Sequence, residues 1–119
     1  MIYLPLRELM DRALRRFRED LDDASAIFAL PEEWPAATVA EVEGRVENAL
    51  SDAMIAALRA GASRGGPAIA ASIHNGSVRV RIPASVAAET VSRLSARLAP
   101  IGGKVESSPG SVELWLPRA

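Results

Sequence analysis

The stretch VENALSDAMIAALRAGAS, residues 46–63, decides how the rest of the chain is read. Its apolar residues Val46, Ala49, Leu50, Ala53, Met54 and Ala57 recur at steps of three and four, which puts them on one side of a helix. Upstream, Val39 and Val42 continue that spacing, and Thr38 followed by Glu41 has the form of a capping box. The pattern predicts a helix over 38–60, stopped at Gly61, with its apolar stripe against a sheet. Asn48 and Asp52, four residues apart, then share a different face.

The flanking segments supply the layers this helix must pack against. Residues 5–22 carry Leu6, Leu9, Met10, Ala13, Leu14, Phe17 and Leu21 at helical spacing, with Pro5 at the first turn, where its missing N–H is harmless. The arginines at 12, 15, 16 and 18 are interleaved with Glu8, Asp11, Glu19 and Asp20, the pattern of a solvated helix face rather than of a phosphate-binding one. SAIFAL (25–30) reads as a strand closed by PEEWP, with Trp34 as a lid on the core edge. AIAASI and SVRVRI flank His74-Asn75-Gly76, an Asn-Gly hairpin signal, and Val78, Val80 and Ile82 alternate with Arg79 and Arg81. Residues 85–99 form a third helix with Val91, Leu94 and Leu98 inward, ended by PIGG. KVESS and SVELWLP make a second hairpin across Pro109-Gly110. The expected fold is α+β, a two-layer α/β sandwich in one domain spanning 1–119. Three helices (5–22, 38–60 and 85–99) should cover one face of a mixed sheet of about five strands.

Composition narrows the classes. A chain of 119 residues with 49% hydrophobic content suits one globular core. Fourteen basic against fifteen acidic residues give a net charge of −1, so no overall field recruits nucleic acid or acidic lipid. Cysteine is absent, which removes disulfides and thiolate metal sites and suits a reducing compartment. Charge enters at Arg7 and Glu8, before a signal-peptide apolar region can develop, and no apolar run approaches the roughly 20 residues needed to span a bilayer. A cytoplasmic protein is expected. His74, the single histidine, sits at a hairpin turn and reads as a polar turn residue. SRGG (63–66) lacks the Lys-Ser/Thr of a phosphate-binding P-loop, and no zinc, calcium or dinucleotide pattern occurs.

Three fragments carry a resemblance. LRELMDRALRRFREDLDDASAIFALPEEWPA, VENALSDAMIAALRAGAS and RLSARLAPIGGKVESSPGSVELWLP follow one another in the order of the ATP-binding domain of sensor histidine kinases. That domain belongs to the superfamily of gyrase, heat-shock-chaperone and mismatch-repair ATPases. The first fragment resembles its opening helix and strand, the second its N-box helix, and the third its closing helix and hairpin. The resemblance implies a Bergerat-like fold, with an acid at position 48 and a Mg²⁺-binding asparagine at position 52. This chain carries Asn48, whose amide cannot act as a base, and Asp52, which retains an oxygen ligand for Mg²⁺. The family's Asp-x-Gly-x-Gly adenine reader is missing, because VRVRI runs directly into PASVAAETV, leaving no room for a lid. None of the predicted helices carries a histidine to accept phosphate.

The resemblance therefore implies a scaffold with an emptied, vestigial pocket at Asn48 and Asp52. No catalytic residue, metal or cofactor is expected. Such a domain would act as a protein-interaction or regulatory module in bacterial two-component signalling, as degenerate ATPase-like domains of related phosphotransfer proteins do when they dock response regulators. The expected partner is a response regulator or a kinase subunit, with a homodimer as a further possibility and neither nucleic acid nor membrane involved. Two alternatives stand beside it: a minimal Mg-nucleotide-binding kinase subunit or phosphotransfer-associated protein completed by another chain, and a structural homo-oligomer.

Overall fold

A computed structural model describes residues 2–21, 33–59 and 69–118. Strand β1 (Ile2–Pro5) leads straight into helix α1 (Leu6–Leu21), followed by β2 (Thr38–Glu41) and α2 (Arg45–Arg59). Then come the hairpin of β3 (Ala70–His74) and β4 (Ser77–Ile82), helix α3 (Ala88–Leu98) with a closing 3₁₀ turn (Ala99–Ile101), and the hairpin of β5 (Lys104–Ser108) and β6 (Ser111–Pro117). The α+β class is as expected. The sheet arrangement differs from the expectation of one mixed sheet.

Every strand pair among the described residues is antiparallel, in a two-stranded sheet β1-β2 and a four-stranded sheet of order β3-β4-β6-β5. The reason lies in α3. This helix carries the chain from β4 across to β5, and β6 returns between them, antiparallel to both. A direct parallel pairing of β4 with β5 is thereby displaced. An isolated bridge between Val39 and Arg118 ties the small sheet to the large one. The expected strand at 25–30 lies outside the described residues.

The second helix also begins later than its spacing predicts. Residues 38–41 are strand β2, which pairs Thr38 through Glu41 with Pro5 through Ile2, and α2 starts at Arg45. Val39 and Val42 fit helical spacing by coincidence, and the backbone breaks between them and α2, with Glu43 and Gly44 both at positive φ, 52° and 75°. Glu41 is thus not the third residue of a capping box. It caps from the strand: its carboxylate is 4% exposed and accepts the backbone N–H groups of Val42 (2.8 Å), Val46 (2.9 Å) and Glu47 (2.9 Å). Two of those amides belong to the first turn of α2, where negative charge is favoured.

The core lies between the helices and the large sheet. Leu6, Leu9, Met10, Ala13 and Phe17 of α1, Val46, Leu50, Ala53 and Met54 of α2, and Leu94 and Leu98 of α3 are all buried. They meet Val78, Val80 and Ile82 of β4 and Val112, Leu114 and Leu116 of β6, one face of the pleat. Trp34 packs half-buried at the edge of this core, as its reading as a lid required. After α3, Gly102 takes φ 81° and Gly103 closes the turn, donating its N–H to the Leu98 carbonyl at 3.0 Å. A side chain at Gly103 would lie 2.9 Å from the Trp115 carbonyl oxygen, so only glycine fits between α3 and β6. No helix among the described residues is long and apolar enough to cross a membrane.

Candidate functional site

The side of α2 turned away from the sheet carries Asp52, Ile55, Ala56 and Arg59, positions that fall on one helical stripe. Opposite, α3 presents Thr90, Arg93 and Arg97, with Val86 and Ala87 just before its first turn. Because Asp52 meets Arg97 while Arg59 lies toward the start of α3, the two helices run antiparallel and enclose a groove of about 670 Å³. Ile55, Ala56, Val86 and Ala87 contribute apolar surface to its lining, and Asp52, Arg59, Arg93 and Arg97 contribute charge.

Asp52 accepts a hydrogen bond from the Arg97 guanidinium, with both side chains about a third exposed, at 34% and 31%. Arg45 reaches the same end of the groove and donates to the Arg97 carbonyl oxygen at 3.4 Å. Arg59 and Arg93 form no ion pair among the described residues. Asn48 lies one turn before Asp52, half-buried, but does not line the groove. Its amide nitrogen sits beside Gly44, 3.6 Å from where a side-chain carbon there would be. The two residues singled out by their spacing are thus neighbours on α2 without converging on one point.

A metal finds little here. Among the described residues there is no cluster of three or more histidine, aspartate or glutamate side chains able to hold one. Asp52 is the single carboxylate among the described residues of the groove lining and is engaged by a guanidinium. Mg²⁺ demands near-octahedral oxygen coordination, which one engaged carboxylate does not provide. Among the described residues the groove lining includes no glycine.

The opposite face of the large sheet has its own cluster. Trp115 of β6 stands between Arg79 of β4 and Lys104 of β5, which are its direct register partners. The Arg79 guanidinium carbon lies 5.8 Å and the Lys104 ammonium 5.5 Å from the ring centroid, within cation–π range. His74 tilts against the same ring at 5.4 Å and bonds Ser72 Oγ through Nε2 at 2.8 Å. Glu113 and Glu106, directly opposite each other in the next rung, are answered by Arg79 at 3.9 Å and Lys104 at 2.8 Å. This face is a ladder of ring contacts and ion pairs in which Arg79 Nε and Trp115 Nε1 are buried without a hydrogen-bond partner among the described residues. His74 belongs to it as an exposed polar residue beside the turn.

The fold and its groove define an α+β domain with a cationic, partly apolar channel between two antiparallel helices. No known family model matches the chain, and no curated protein or solved structure matches it. The groove arginines went unread in the sequence. Their signal was present in Arg93 and Arg97, four residues apart on one side of a helix, but their counterpart Asp52 lies 45 residues away.

Proposed function

We propose that this chain is a non-catalytic, histidine-kinase ATPase-like domain that works as a protein-interaction or regulatory module in cytoplasmic bacterial signalling, with a response regulator or a kinase subunit as its partner. One observation carries the reading: Asp52, at the position where the resembling family binds Mg²⁺, is committed to Arg97. A metal there would have only Oδ1 as a free ligand atom of Asp52 and would sit beside the positive charge of Arg97, which disfavours it. The short link from β4 to α3, residues 83–87, adds support, since no lid-length segment lies between these two elements.

The test is nucleotide binding itself. Mg-ATP or Mg-ADP should leave the melting temperature unchanged, whereas a ligand at about 100 times its dissociation constant would add roughly 2.7 kcal/mol. A saturable upward shift, lost in Asp52→Ala, would establish the competing reading of a minimal nucleotide-binding subunit. The homo-oligomer reading draws on Ile2 and Tyr3 of β1, which are 56% and 54% exposed. Large apolar side chains on a short terminal strand invite edge pairing with a second copy. Sedimentation across a concentration series distinguishes it from a monomer.

A further inference from the structure

We propose that the α2–α3 groove is the docking site for an acidic peptide segment of a protein partner, with carboxylates pairing to Arg59 and Arg93 and an apolar side chain seated on Ile55 and Val86. The proposal rests on the non-catalytic reading above and names the surface that reading leaves open. Its first support is charge. Among the described residues of the groove lining three arginines face one aspartate, two excess positive charges on a chain whose net charge is −1. A patch opposite in sign to the whole molecule selects its ligand locally, and it acts at short range because longer-range fields are screened within about 8–10 Å.

The distribution of those charges argues for a peptide rather than a compact phosphate. Along α2, Asp52 and Arg59 are seven residues apart, a rise of roughly 10 Å. On α3, Arg93 and Arg97 are separated by about 6 Å. The cations therefore fall in two places, Arg97 beside Asp52 at one end and Arg59 near the level of Arg93 toward the other, in a lining that also holds the apolar residues Ile55, Ala56, Val86 and Ala87. Asp52 also sits among them, which disfavours a uniformly anionic ligand such as a polyphosphate. A peptide segment with acidic residues toward Arg59 and Arg93 and an apolar residue between matches all three properties. Asp52 and Arg97 then mark one end of the channel. Their pairing links α2 to α3 at that end.

A short peptide of alternating glutamate and leucine, titrated into isotope-labelled protein and followed by amide chemical shifts, tests this directly. Saturable shifts concentrated on residues 52–59 and 86–97, absent with a lysine-leucine peptide, support the proposal. Arg59→Glu combined with Arg93→Glu should then weaken binding about tenfold or more and flatten its salt dependence. If that variant does not fold, Arg93→Gln alone, read by the same titration, serves in its place. Shifts confined to another surface, no shifts at all, or an undiminished affinity in a folded variant would each overturn the docking site. So would inorganic pyrophosphate occupying the groove while the peptide does not. Mg-ATP turnover measured on the same sample defeats the non-catalytic reading by itself, whereas a groove silent to the peptide without turnover defeats only the docking site.

Discussion

The outer sheet face and the α2–α3 groove both gather basic side chains, yet they treat them differently. On the sheet, Arg79 and Lys104 flank Trp115 in register and each has a glutamate within reach, so their charge is spent within the ladder. In the groove, Arg97 pairs with Asp52, while Arg59 and Arg93 are exposed and form no ion pair among the described residues. Cross-strand register makes the first arrangement nearly automatic, because residues directly opposite have Cβ atoms about 5 Å apart. Two helices meeting at a groove impose no such pairing. A basic residue on a pleated face is thus weak grounds for a ligand, and one left over between helices is stronger grounds.

Urea denaturation of single variants sharpens that contrast. The largest effect should come from neither region but from the other side of α2. Leu50 is fully buried, and Leu50→Ala should cost about 2–5 kcal/mol through lost transfer energy and a residual cavity. A cost below about 1 kcal/mol would mean that the helix is not pinned to the sheet as described, and the groove would lose its fixed wall. Next comes Glu41→Ala. It strips the charged acceptor from three backbone amides and should cost about 1.5–3 kcal/mol. An unchanged midpoint would remove strand-borne capping from the account of how α2 starts.

On the outer face, Trp115→Ala should cost about 1–3 kcal/mol, combining partial apolar burial with two cation–π contacts. The smallest effects belong to the groove. Arg59→Ala and Arg93→Ala should each stay within about 0.5 kcal/mol, as exposed positions without structural partners usually do. Asn48→Ala with Asp52→Ala should stay within roughly 1 kcal/mol, since a partly exposed ion pair contributes little. Should the groove variants prove as costly as Trp115→Ala, the distinction between ion-paired ladder and open groove would collapse.

What the sequence disclosed follows the range of the interactions involved. Helices α1 and α3 and both hairpins were legible because their signals are local: apolar spacing of three and four, Asn75-Gly76, and Pro109-Gly110. The pair β1-β2 was not, since IYLP and TVAE are four residues each and gain their strand character only by pairing Ile2 with Glu41 across an intervening helix. Glu41 misled for a related reason. Its carboxylate does cap a helix, but from a neighbouring strand, a geometry that spacing alone resembles without encoding. In the site, Asp52 was legible from its place on α2, whereas its engagement by Arg97 depends on how α2 and α3 come together.

The placement of β6 has a kinetic consequence. The strand that comes last along the sequence fills the middle of the large sheet, contacting β4 on one edge and β5 on the other. As the chain emerges from a ribosome, the β3-β4 hairpin can close early, but β4 and β5 keep facing, unpaired edges until residues 111–117 are free. Sheet assembly is then a single late event that joins segments far apart in sequence, the kind of step that slows folding and exposes strand edges to association meanwhile. A nascent chain halted before Ser111 would hold its helices against a gap, and its vulnerability would lie along those two open edges.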